Sequence, residues 1–104
     1  MIKTIKNLLG MGSKIDYQQL VKQGAVILDV RTRDEYASGH IRGSINIPVD
    51  QLLNNLNKLK DKRKTIITCC ASGMRSASAK NLLKSKGYSE VYNGGGWISL
   101  QNRL

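Results

Sequence analysis

Apolar positions along this chain fall into short unbroken runs, separated by stretches with helical spacing. Ala25-Val26-Ile27-Leu28 leads into Asp29-Val30-Arg31, Ile45-Asn46-Ile47 stops at Pro48, and Thr65-Ile66-Ile67-Thr68 ends at Cys69-Cys70. Runs this short and continuous mark strands covered on both faces. Lys14-Ile15 and Val91-Tyr92 add two shorter strand candidates. Between the runs, Asp16 is a fitting N-cap for a helix through Tyr17, Leu20 and Val21, stopped at Gly24. Thr32-Arg33-Asp34-Glu35 has the spacing of a capping box and opens a brief helix closed by Gly39. Asp50 is expected to cap a third helix, with Leu52, Leu53, Leu56 and Leu59 on one apolar face. A fourth helix is expected from Ser76 to Lys86, with Leu82 and Leu83 inward and Gly87 at its end. Gly94-Gly95-Gly96 reads as a loop and Trp97 to Leu104 as a closing helix, with Trp97 in the core. Strands alternate with helices throughout, which predicts an α/β domain: a central, mostly parallel sheet of about five strands with helices on both faces.

A chain of 104 residues is long enough for one domain with a core and too short for two, and residues 13–104 are assigned to it. Residues 1–12 read as an N-terminal extension. Its Ile2, Ile5, Leu8 and Leu9 have helical spacing, either as a surface-seeking turn or as a loosely packed end. Its apolar stretch is too broken for a signal-peptide core and too short to span a membrane. Charge changes the picture: 17 Lys+Arg against 7 Asp+Glu gives a net charge of +10, which favours anionic partners. The densest cluster, Lys58 to Lys64, has no interleaved aromatic residues to stack on bases, so a small anion is expected rather than nucleic acid. The only cysteines are neighbours. They cannot build a disulfide framework, which fits a reducing, cytoplasmic setting.

The chemistry concentrates between Thr65 and Ser76, where a strand ends at a thiol, a loop of small residues follows, and a helix begins. A helix start directs unpaired amides and the positive end of its dipole at the loop, which suits anions. Gly73 permits the positive φ that turns loop amides inward, and Arg75 adds a permanent cation with forked donors. Arginine works against the dipole in a first helical turn, so Arg75 is assigned to an anionic ligand. In such a field a cysteine pKa falls from about 8.5 to roughly 3.5–7.5, making Cys70 the candidate nucleophile. Strand alternation sends Cys69 the other way, into packing. Ser72 and Ser76 are candidate hydrogen-bond donors to the loop, and Ser76 is equally readable as the helix N-cap. Asp29 and Arg31, at a strand's carboxyl end, are expected to support the cysteine loop. One histidine and two adjacent cysteines give no metal-ligand spacing.

Cys70-Ala71-Ser72-Gly73-Met74-Arg75-Ser76 resembles the active-site loop of the rhodanese-like sulfurtransferases, of the form Cys-x-x-Gly-x-Arg-Ser. Four residues separate cysteine from arginine. In the related cysteine phosphatases there are five, and the shorter loop goes with sulfur transfer. Asp29 to Pro48 is similar to the family's first signature, with Asp-Val-Arg, Glu-Tyr, Gly-His-Ile, Gly-Ser and Asn-Ile-Pro in order. Val91-Tyr92-Asn93 with Gly95-Gly96 resembles its C-terminal segment.

The resemblance implies a small, single-domain bacterial type that moves sulfane sulfur from thiosulfate or a persulfide to a thiol or cyanide through a Cys70 persulfide. Ala71, Ser72, Gly73, Met74, Arg75 and Ser76 would hold the anionic donor, with no metal or organic cofactor. His40 would serve loop packing. Many family loops carry a basic residue directly after the cysteine, and Ala71 in that place gives weight to a protein persulfide donor. A relay module that docks a partner protein, with little turnover of free thiosulfate, is the alternative.

Overall fold

The computed structural model describes residues 15–104; the extension 1–12 and Lys14 lie outside the described residues. The strand β3 (Ile66–Cys70) is buried at every position, and its side chains alternate between two faces. Ile66 and Cys70 join a cluster with Leu28, Val30, Leu52, Leu83 and Tyr88. Ile67 and Cys69 join another with Tyr17, Ile27, Ile41 and Leu100. Each face needs a cover, and the helices supply it. α3 (Met74–Ser85) and the segment from Leu52 to Leu59 close the first face. α1 (Tyr17–Lys22) and α4 (Trp97–Gln101) close the second.

Four parallel strands form the sheet in the order β2-β1-β3-β4, with β1 at Val26–Asp29, β2 at Ile45–Asn46 and β4 at Val91–Gly96. The chain moves outward from β1 to β2, then returns past β1 to β3. The carboxyl ends of β1 and β3 therefore flank the point where the strand order reverses, the place where open α/β sheets bind ligands. Asp29 ends one strand and Cys70 the other, with Asp29 in register with Cys69.

Local signals explain most of the helix starts. Asp16 accepts from the Gln19 amide, and α2 (Arg33–Ala37) opens with both bonds of the Thr32–Glu35 capping box. Four expectations are corrected. Among the described residues the sheet has four strands rather than about five: Ile15 is 39 % exposed and joins no strand, and Lys14 lies outside the described residues. The helix expected after Asp50 is two 3-10 segments, Val49–Gln51 and Leu53–Lys58, and Pro48 rather than Asp50 stands at the start. Asn55 kinks the second at φ −127°, its side-chain amide donating to the Gln51 carbonyl at 2.7 Å, a local bond that competes with helix. The broken helix turns Leu53 outward, 50 % exposed, while Leu52 and Leu59 stay buried. α3 begins at Met74, two residues before the expected Ser76, and α4 ends at Gln101.

The fourth correction concerns Gly94-Gly95-Gly96, which is the end of β4 and not a loop. A Cβ on Gly94 would lie 2.9 Å from Ile67 Cγ2, Leu100 Cδ2 and the Thr68 carbonyl, and one on Gly96 would lie 3.0 Å from the Ala71 carbonyl. Glycine here allows close packing of strand on strand and of strand on the cysteine loop. Gly94→Ala is therefore expected to destabilise the fold by about 1–3 kcal/mol, the usual cost of overpacking. Urea unfolding measures it, and an unchanged midpoint would show that β4 shifts freely.

Candidate active site

Cys70 is the last residue of β3, and its side chain is 1 % exposed. Gly73 follows at φ 108°, a left-handed conformation that favours glycine, and caps α3 without a side-chain bond. The turn folds the chain back on the sulfur. The Gly73 amide donates to Cys70 Sγ at 2.9 Å, the Ser76 amide at 3.3 Å, and Ser76 Oγ lies 3.4 Å away. Burial by itself pushes the thiol up. The Ser76 hydroxyl, then the amides of Ser76, Gly73 and Ser72, outweigh burial and hold the Cys70 thiol below its ordinary value. Among the described residues Cys69 has no such partners: burial, with the Asp29 charge next, pushes its thiol up to about 12. Two neighbouring thiols thus differ in kind, because one faces a ring of donors and the other a dry core.

Ser76, open in the sequence between loop donor and N-cap, is a residue inside the first turn of α3 and is fully buried. Ala71, Ser72 and Met74 are exposed, Met74 at 80 %. Arg75 is engaged: its guanidinium grips the Glu35 carboxylate with two bonds, 2.7 and 3.0 Å. Beneath it the buried pair Arg31–Asp29 is also two-pronged, with Nε to Oδ1 at 2.9 Å and a second nitrogen to Oδ2 at 2.7 Å. The same guanidinium reaches the carbonyls of Glu35 and Gly39 and lies 4.7 Å from the centre of the Trp97 ring. Trp97 is half-buried against the second cluster. His40 is exposed, stacked on Tyr36 at 3.7 Å, with Nδ1 against the Tyr36 carbonyl at 2.7 Å. Among the described residues no group of three or more His, Cys, Asp or Glu is placed to hold a metal ion.

Two residues at the site escape a sequence reading. Glu35 is visible there as half of a capping box and as part of the resembling Glu-Tyr pair, and neither gives a hint of Arg75 forty positions on. Asn93 lies on β4, with its side chain bonded to Ser76, Gly73 and Gly95. Its signals were a polar residue among glycines after an apolar pair and a place in the resembling C-terminal segment, and neither named a partner.

The Glu35 carboxyl, drawn down from 4.5 to about 2 by Arg75 first and the Thr32 amide second, makes stability depend on pH. A depressed carboxylate contributes stability that is present above its unfolded value and lost as pH falls through the folded one. Urea midpoints taken from about pH 7 to about pH 2 should therefore fall more steeply for the wild type than for Glu35→Gln, the two curves converging in acid. Parallel curves would mean that the pair with Arg75 adds nothing.

Residues 13–101 match the family model described as the rhodanese-like domain. The chain is 40 % identical over 73 residues to the uncharacterized protein YibN of Escherichia coli K12, covering 68 % of this chain and 51 % of that protein, about half of its length. It is 36 % identical over 88 residues to the thiosulfate sulfurtransferase GlpE of Pseudomonas fluorescens SBW25, covering 80 % and 75 %. Among solved structures, the human single-domain sulfurtransferase TSTD1 superposes with a TM-score of 0.74 at 28 % identity, covering 85 % of this chain and 91 % of that one. With the match running through the cysteine loop and both flanking strands, this chain belongs to the rhodanese-like domain family.

Proposed function

We propose that this chain is a sulfurtransferase that carries sulfane sulfur on Cys70. The observation that supports the reading best is the cradle itself, in which two backbone amides and a hydroxyl surround one buried sulfur at a helix start. That arrangement favours a thiolate and then any anion that replaces it. The Cys70 thiolate attacks the outer sulfur of thiosulfate, the sulfur–sulfur bond of the donor breaks, and sulfite leaves with the electron pair. A Cys70 persulfide anion remains. A thiol or cyanide acceptor then attacks its terminal sulfur, and the thiolate returns. The amides of Ala71 to Ser76 hold the negative charge at both stages, and Arg75 adds positive charge beside the loop. Asp29 and Arg31 keep the loop's floor in place. The setting we assign is the cytoplasm. No helix among the described residues is long and apolar enough to cross a membrane.

A second reading, a relay module fed by a protein persulfide, is favoured by the mouth of the loop. Ala71 is uncharged, and Arg75 is already paired with Glu35. A doubly charged donor therefore meets less positive charge there than two free cations would give it. The reduced protein should gain one sulfur atom by intact mass after incubation with thiosulfate, and so should Cys69→Ser. Cys70→Ser should gain none, and cyanide should discharge the loaded forms. Loading only from a persulfidated protein would select the relay, and sulfur retained by Cys70→Ser would overturn both readings.

A further inference from the structure

Ser76 Oγ is fully buried and has more claims on it than it has protons. It lies 2.6 Å from Asn93 Oδ1, 3.1 Å from the Gly73 carbonyl and 3.4 Å from Cys70 Sγ. The Asn93 amide has its orientation fixed by its neighbours. Its oxygen accepts from the Gly95 amide at 2.9 Å, and its nitrogen donates to the Gly73 carbonyl at 3.3 Å. Asn93 Oδ1 can only accept, so at 2.6 Å it takes the Ser76 proton. While Cys70 carries its own proton, a continuous chain forms: the thiol donates to Ser76 Oγ, which donates to Asn93. Once the thiol proton has left to water, the sulfur only accepts, and Ser76 must swing its proton across. Asn93 Oδ1 then keeps the Gly95 amide alone.

We propose that Asn93 is a positioning residue for Cys70, acting through Ser76: it holds the nearest of the acceptors that compete for the single hydroxyl proton and so sets how readily Ser76 serves the bare sulfur. The proposal rests on the reading of Cys70 as the reactive thiolate. Charged and titratable groups around Cys70 are Cys69 on β3, Asp29 and Arg31 at the end of β1, Glu35 on α2 and Arg75 on α3. Among the described residues Asn93 hydrogen-bonds none of them, so its influence on the sulfur runs through Ser76 and the loop backbone.

The test is the pH dependence of Cys70 alkylation by iodoacetamide with no sulfur donor present, the modified residue located by fragmentation. Asn93→Ala removes the nearest rival for the Ser76 proton, leaving the sulfur and the Gly73 carbonyl, and should lower the midpoint by roughly half a pH unit. Asn93→Asp keeps the shape, binds the proton more firmly and brings a negative charge, and should raise it by about one unit. In a Ser76→Ala background, Asn93→Ala should leave the midpoint where it stands. Shifts in the same direction for both variants, no shift for Asn93→Ala, or an equal shift without Ser76 would overturn the proposal. Should Asn93→Ala fail to fold, the isosteric Asn93→Asp decides, and an unraised midpoint overturns it. Sulfur loading from thiosulfate is read separately by mass, so failure there removes the sulfurtransferase reading while this titration still stands or falls alone.

Discussion

A guanidinium withdrawn from water organises the carboxyl edge of the sheet. Arg31 is 4 % exposed and Asp29 fully buried, and neither charge is tolerable there without the other. Breaking such a pair by removing one partner costs about 3–5 kcal/mol, because the remaining charge is stranded. Two further donors of Arg31 go to the carbonyls of Glu35 and Gly39, which fixes α2 against the end of β1. The side chain of Glu35 then holds Arg75, and Arg75 belongs to the helix that cradles the sulfur. A chain of fixed geometry thus runs from a buried ion pair to the first turn of α3, without either charge of the pair touching Cys70.

The other side of the cysteine loop is held by absence of side chains. Gly96 lets β4 approach the loop so closely that a Cβ there would lie 3.0 Å from the Ala71 carbonyl. Where the loop meets α2 it is held by charge, and where it meets β4 it is held by close contact and the Asn93 amide. The two supports respond to different conditions: the first weakens with acid and salt, the second with added volume.

Elements whose cause is local were legible in the sequence. The capping box at Thr32, the aspartate before Tyr17 and the buried run before Cys70 each act within a few residues, and each formed as read. The alternation that sends Cys69 and Cys70 to opposite faces is equally local. What failed depended on partners distant in the chain. Three glycines look like a loop until the surfaces of Ile67, Leu100 and Ala71 are brought against them. Leucines at helical spacing look like a helix until Asn55 between them bonds the backbone instead. Arg75 reads as an available cation because nothing near it in sequence announces Glu35. At the site the loop and the Asp29–Arg31 pair were visible, while Glu35 and Asn93 were not, since they meet the loop from elements distant in the chain.

The left-handed glycine before α3 leaves that helix without a side-chain cap. The sulfur of Cys70 fills the vacancy, taking the amides of Gly73 and Ser76 as a serine or aspartate oxygen would. Linkage then runs in both directions. Whatever free energy the helix lends to the ionised sulfur, the ionised sulfur returns to the helix, so stability rises with pH from the depressed value of Cys70 up to that of an unfolded thiol. A change in the chemical state of one sulfur atom is consequently also a change in how firmly the adjoining turn of backbone is wound.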